Sequence, residues 1–293
     1  MVDTFALAQL DNLVNSGILT SDTVRIFYKN KRIPSAKVTW PEGTSRPWLQ
    51  NRIRPDLVAS YVRQGATLAI DDLARLWEPL RTVCRGLSAE LNVAVNATAF
   101  LTPQKNWGLG YHYDVASVLL LQTHGSKTWR LQPPTLPAPL PSQLCEEHVM
   151  QESDVTEFRV TAGQALWIPR GWYHSGVATE EESLHVSFWF PHLTRYWLAQ
   201  KVVSALDARS DGLLTVREDI MWGKSISNEY MESVVHQIIS EMNAYLRHVD
   251  VHAVARKASE AIRENWVEES STAMLNEAVA GGPSTPAPRR PAD

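Results

Sequence analysis

From about Val93 to Phe190 the sequence is cut into short runs rich in β-branched and aromatic residues, VAVNATAFL, ASVLLLQ, SKTWRL, QALWIP and LHVSFWF, parted by turns that contain Gly or Pro. Many short strands at this spacing predict an antiparallel sandwich or barrel of the jelly-roll kind. The stretch QPPTLPAPLPSQL holds five prolines. Proline donates no backbone hydrogen bond, so this insert cannot be a central strand and is expected to be an exposed loop or lid.

Helical periods flank the β tract. Phe5, Leu7, Leu10, Leu13 and Val14 predict an amphipathic helix over residues 4–17, and TVRIFYKNKRIP reads as a strand and turn. A second helix is expected from Ile70 to about Leu91, with Leu73, Leu76, Trp77, Leu80 and Cys84 on one face and Pro79 able to bend or split it. After Pro191, Val234, Val235, Ile238, Ile239, Met242, Tyr245 and Leu246 form one stripe and Val251, Val254, Ala258 and Ile262 another. The expected layout is therefore N-terminal helices and strands over 1–92, the jelly-roll core over 93–192, a helical and dimer-forming region over 193–278, and a disordered Pro-rich tail over 279–293.

Composition removes several classes of function. The chain of 293 residues has 44% hydrophobic and 20% charged residues, and no apolar run approaches the roughly 18 residues needed to cross a bilayer. Its first residues lack a basic segment followed by an unbroken apolar one, so a cytoplasmic protein is expected. A net charge of −4 without a Lys/Arg-rich stripe argues against nucleic acid as partner. Cys84 and Cys145 stand far apart with no Cys-x-x-Cys spacing, and both read as packing residues.

The stretch GLGYHYDVASVLLLQTHGSKTWRL carries the chemistry. His112 and Asp114 form a His-x-Asp triplet, a pattern expected about 0.4 times by chance in a chain with this many His and Asp residues. If residues 112–121 are a strand, both side chains project from one face. His174 follows a strand and a Pro-Arg-Gly turn in AGQALWIPRGWYHSG and is the candidate third ligand. Two histidines and a carboxylate with open positions suit the facial site of non-haem Fe(II) oxygenases. Zinc with the same ligands stays an alternative, although no Cys pair supports it.

NATAFLTPQKNWGLGYHYD, LLLQTHGSKTWRL and GQALWIPRGWYHSGVATEEESLHVSFWF together resemble the JmjC-type Fe(II)/2-oxoglutarate oxygenases, nearest to the ribosomal oxygenases and to the asparaginyl hydroxylase that acts on hypoxia-inducible factor. The likeness runs from about residue 5 to 191. It implies a mainly β fold with a double-stranded β-helix core, the cupin-like jelly roll, flanked by helices, with Fe(II) on His112, Asp114 and His174, 2-oxoglutarate as cosubstrate, and O2. Lys127 occupies the position, fifteen residues after the first histidine, whose basic residue grips the distal carboxylate of 2-oxoglutarate. On SKTWRL it shares a face with Trp129 and Leu131, so its ammonium points inward, where charge without a partner is costly. Two positions depart from the family. Thr98 stands where ribosomal oxygenases carry an asparagine four residues before Thr-Pro, and Leu109 where the asparaginyl hydroxylase has a threonine. Thr98 and Ser187 are therefore the further candidates for cosubstrate contact.

His185 shares a strand face with Ser183, Ser187 and Trp189 and is a tempting fourth ligand, although the resemblance does not require one. The remaining histidines, His124, His148, His192, His236, His248 and His252, read as surface or packing residues. Trp107, Tyr111, Tyr113, Trp172 and Tyr173 crowd the predicted metal and suit either a substrate mouth or the jelly-roll core, with Tyr111 and Tyr113 on the far side of the sheet. The reaction implied is β-carbon hydroxylation of a side chain such as His, Arg or Asn in a protein or peptide, extending to the tailoring of a precursor peptide in natural-product biosynthesis. A non-catalytic cupin-like binding module and a metal-dependent cupin enzyme that does not use 2-oxoglutarate are the alternatives. The retained Lys127 and three-ligand set speak against both.

Overall fold

The computed structural model of the chain describes residues 5–143, 154–204 and 227–270. Cys145, His148 and the proposed tail fall outside these residues. The chain divides into two units, residues 1–192 and 193–293.

The first unit is built on two antiparallel sheets. Strands β1 (Val24–Tyr28), β2 (Lys31–Arg32), β3 (Thr67–Ile70), β4 (Asn96–Thr102), β5 (Ser117–His124), β8 (Ala165–Ile168) and β10 (Ser183–Phe190) make a seven-stranded sheet in the order β2-β1-β3-β4-β10-β5-β8. Strands β6 (Ser126–Gln132), β7 (Thr156–Thr161) and β9 (Tyr173–Ala178) make the second sheet, in the order β7-β6-β9. The crossing of non-consecutive strands, β10 between β4 and β5, is the jelly-roll connectivity that the short β runs predict.

β5 explains why its sequence, SVLLLQTH, is apolar without alternation. Leu119 and Leu121 pack against the cluster under the helices, while Leu120, which is fully buried, joins Trp129, Leu131, Val160 and Ile168 in a second cluster. Both faces of the strand are covered, so neither position can be polar. The first cluster gathers Phe5, Leu10, Leu13, Val58, Leu73, Leu80 and Cys84 with the outer face of the large sheet. Fully burying each such large side chain stabilises the fold by roughly 1.5–3 kcal/mol.

Several boundaries differ from the sequence expectation. The N-terminal helix α1 is Leu7–Asn15, shorter than 4–17. α2 spans Pro55–Arg63. The helix expected from Ile70 is instead a strand through Ile70 and then α3 (Leu73–Leu76) and α4 (Glu78–Leu91). Thr67–Ile70 is buried at every position and pairs with both β1 and β4, so sheet burial at Ile70 overrides the helical spacing that begins there. Pro79 sits in the first turn of α4, where its missing N–H costs nothing, and α4 ends at Asn92 in the left-handed region (φ 55). Strands β7 and β9 have no counterpart among the expected β runs. β7 is an edge strand with five of six residues exposed, which leaves little hydrophobic pattern to read.

In the second unit α6 (Asn228–Leu246) and α7 (Val251–Ser270) follow the two predicted helical stripes, and α5 (Arg195–Ser204) precedes them where no stripe was read. Ser227 caps α6 by accepting from the Tyr230 N–H. Among the described residues no helix is long and apolar enough to cross a membrane.

Candidate metal centre

His112 and Asp114 do not lie on a regular strand, contrary to the expectation for 112–121; β5 begins only at Ser117. His112 instead forms an isolated antiparallel bridge with His174 of β9. The His112 N–H donates to the His174 carbonyl at 3.1 Å and the His174 N–H to the His112 carbonyl at 2.7 Å. The Pro169–Trp172 turn then holds the intervening acid, since the N–H of Gly171 donates to the Asp114 carbonyl at 2.9 Å. Gly171 has φ +85 there, a conformation that suits glycine.

One donor atom from each of His112, Asp114 and His174 falls within 4.8 Å of the others. His112 Nδ1 lies 2.8 Å from the Gly110 carbonyl and His174 Nδ1 lies 3.1 Å from the Trp172 carbonyl. A carbonyl only accepts, so Nδ1 carries the proton in both rings and each Nε2 keeps its lone pair for the shared space. His174 Nε2 is 3.6 Å from Asp114 Oδ2. Burial, and then the neighbouring His112, push His174 down to about 4, which keeps it neutral as a ligand must be. Two imidazole nitrogens and a carboxylate with no thiolate suit a divalent first-row ion such as Fe(II).

The three donors open into a cavity of about 500 Å³ that Lys127, Thr98, Ser187 and His185 also line. Lys127 is 4% exposed, among the described residues has no carboxylate within ion-pair range, and donates to Thr102 Oγ1 at 3.0 Å. Its ammonium also sits 5.2 Å from the Trp129 ring centroid. Burial alone lowers it to about 7. Gly176 of β9 makes this possible: a Cβ there would lie 3.0 Å from Lys127 Cε and 3.1 Å from the Trp129 ring.

β10 lays a row of side chains along the cavity. His185 pairs with Phe100, Ser187 with Thr98 and Trp189 with Asn96 across to β4. Ser183, expected on this face, hydrogen-bonds Gln122 Nε2 instead, beyond an irregularity at Leu184/His185. His185 is 2% exposed and stacks on Phe100 at 5.1 Å. It is not in the three-residue ligand cluster, and its Nδ1 has no hydrogen-bond partner among the described residues. Burial first, and then Lys127 and His174, hold it well below the usual imidazole range. Thr98 donates to Asp71 Oδ1 at 3.0 Å, and Asp71 also takes a two-pronged ion pair from Arg25.

None of Trp107, Tyr111, Tyr113, Trp172 and Tyr173 lines the cavity, so of the two roles open to them the substrate mouth is not supported, and Tyr111 and Tyr113 lie away from it as expected. Tyr111 and Tyr113 pack on Tyr173, while the cavity aromatics are Phe100, Trp129 and Trp189. Arg25, Asp71, Asp72 and Asn96 also line the cavity. Sequence reasoning missed them because they arrive from strands and a turn far from the metal motif. In the structure Asp72 stands out as a non-glycine residue at φ 57 directly before α3.

Residues 76–197 match the JmjC domain. The chain is 30% identical over 178 residues to the bifunctional lysine-specific demethylase and histidyl-hydroxylase NO66 of Dictyostelium discoideum, covering 58% of this chain and 34% of that protein. It is 27% identical over 182 residues to the protein of the same name from Drosophila melanogaster, covering 61% of this chain and 25% of that one. It thus spans about a third or less of the length of these curated relatives. Among solved structures, the Escherichia coli ribosomal oxygenase YcfD in complex with cobalt and 2-oxoglutarate is similar at a TM-score of 0.46 and 14% identity, covering 83% of this chain and 60% of that one. The cluster of His112, Asp114 and His174, together with Lys127, lies within the residues that match the JmjC domain.

Proposed function

We propose that this protein is an Fe(II)- and 2-oxoglutarate-dependent oxygenase that hydroxylates a side chain of a protein or peptide. One observation carries the reading: a buried ammonium with no carboxylate partner among the described residues shares a single cavity with a two-histidine, one-carboxylate cluster. His112, Asp114 and His174 would hold the iron, and Lys127 would pair with the distal carboxylate of 2-oxoglutarate. With iron, cosubstrate and O2 bound, such a site converts 2-oxoglutarate to succinate and CO2 and places one oxygen atom in a substrate C–H bond.

The chain's own residues set the conditions for that chemistry. Leu120, Trp129, Ile168 and Phe100 make an apolar wall on one side of the cavity, against which a substrate C–H would sit away from water. Thr102 Oγ1 receives both Lys127 and Thr67, which fixes the ammonium's direction before the cosubstrate enters. Arg25, Asp71, Asp72 and Asn96 present a polar end through which a substrate side chain would be oriented. The half-exposed Val235, Ile239 and Leu246 on α6 suit self-association into a homodimer.

The test is spectroscopic. Under anaerobic conditions, Fe(II) and 2-oxoglutarate added to the protein should give a visible metal-to-ligand charge-transfer band that His112→Ala abolishes. Iron binding without the band would reject the cosubstrate. With the band in hand, peptides are screened by mass spectrometry for the gain of one oxygen atom.

A further inference from the structure

The β1–β2 turn reaches the metal cluster through two hydrogen bonds. Asn30 Oδ1 accepts from the Gly110 N–H at 2.6 Å, and the Gly110 carbonyl faces His112 Nδ1 at 2.8 Å. The contact between turn and loop is close: a Cβ on Gly110 would stand 2.6 Å from the Asn30 side-chain atoms. Two residues earlier, a Cβ at Gly108 would meet Thr67 at 2.4 Å. The Gly-Leu-Gly segment before His112 is thus seated on Asn30 and Thr67, both outside the matched residues 76–197.

Asn30 is held in place from its own side. Lys29 and Asn30 have φ of 50 and 62 and join β1 to β2 across the pair Tyr28↔Lys31. Such a two-residue turn needs positive φ at both positions, and asparagine tolerates it better than most residues. β1 is in turn paired with β3 along its length. The backbone that carries the carboxamide is therefore fixed to the large sheet.

Gly110 without that acceptor is a glycine in a loop, free to turn its carbonyl. The His112 backbone would still be pinned by its bridge to His174. The imidazole would not, because its orientation depends on the Gly110 carbonyl. We infer that Asn30 is a positioning residue of the metal centre: it fixes Gly110, and Gly110 fixes the tautomer and direction of His112. This inference rests on the reading of His112 as a ligand.

The experiment uses the full chain and Co(II) as the probe, with affinity measured by chelator competition, the visible ligand-field spectrum recorded, and thermal unfolding followed alongside. Asn30→Gly removes the carboxamide while easing the left-handed backbone, so the protein should melt close to the wild type. Its Co(II) dissociation constant should rise about 10- to 100-fold, the usual effect of losing a hydrogen-bond partner behind a ligand, with a changed spectrum. Asn30→Asp keeps an acceptor and should recover most of the affinity. Wild-type affinity and spectrum in Asn30→Gly would show that Asn30 only completes a turn and overturn the inference. If His112→Ala binds Co(II) as the wild type does, the ligand reading itself falls and takes the inference with it; if His112→Ala fails to bind while Asn30→Gly binds normally, only the role of Asn30 is lost.

Discussion

His112 and His174, far apart in the chain, exchange both backbone hydrogen bonds as a bridged pair and bring their rings to 4.4 Å between centroids. The bridge is what turns two separate motifs into one cluster. Each ring is then turned by the carbonyl two residues before it, Gly110 for one and Trp172 for the other. The same local device is used twice, so both Nε2 atoms face the shared space without any side-chain partner behind them.

Lys127 is costly to bury alone and useful once an anion arrives. Lys127→Met preserves its length, and Thr102 Oγ1 still receives Thr67. In the absence of cosubstrate the variant should be the more stable protein, by about 1 kcal/mol or more, which raises Tm by roughly 2–4 °C. It should also bind 2-oxoglutarate more weakly by about 1.5–3 kcal/mol, on the order of 10- to 150-fold. Calorimetry and cosubstrate titration check the two halves, and a variant that melts lower yet binds normally would reject the reading.

The pH dependence of cosubstrate binding comes from the same burial. Lys127 is lowered to about 7, so without 2-oxoglutarate it loses its proton as pH rises above that value. A bound carboxylate favours the charged form and raises the group again, so binding must take up a proton above pH 7. Affinity for 2-oxoglutarate should be flat below that point and fall by up to about tenfold per pH unit above it. Titrations from pH 6 to 9, monitored by tryptophan fluorescence, measure this; constant affinity across the upper range contradicts it.

Gly176 should matter for the cosubstrate and not for the metal. Gly176→Ala pushes a methyl group against Lys127 Cε and the Trp129 ring, while His174 stays on its bridge to His112. We expect 2-oxoglutarate binding about tenfold weaker, a loss of about 1.4 kcal/mol, with Co(II) affinity within about twofold of the wild type. Equal losses of both would mean that the added methyl group shifts β9 as a whole.

His185 is predicted to hold no metal. His185→Phe keeps an aromatic ring stacked on Phe100 and edge-on to Trp129, and removes a buried nitrogen that has no hydrogen-bond partner among the described residues. Co(II) stoichiometry and affinity should be retained, whereas His174→Phe should abolish binding. Loss of Co(II) from the His185 variant would make it a fourth ligand.

The candidate cluster of His112, Asp114 and His174 and the sheet beside it were legible as short patterns in the chain. His-x-Asp and the distal His174 after a Pro-Arg-Gly turn were carried by the motif and its resemblance and not by strand alternation, since β5 begins only at Ser117; Lys127 was legible because alternation along SKTWRL and the cost of a buried charge act over a few residues. The contacts around these residues come from the tertiary structure. In place of the strand expected at His112 there is a bridge with His174, because the Gly-Leu-Gly loop is held by Asn30 and Thr67, contacts that no local periodicity encodes. Ile70 ends a buried strand because β1 and β4 flank it on either side. The polar end of the cavity joins Arg25 to Asp71 and Asn96 to Asp72 across pairings that bring β1, β3 and β4 side by side. Such contacts depend on strand order, which hydrophobic patterning constrains only through the whole fold.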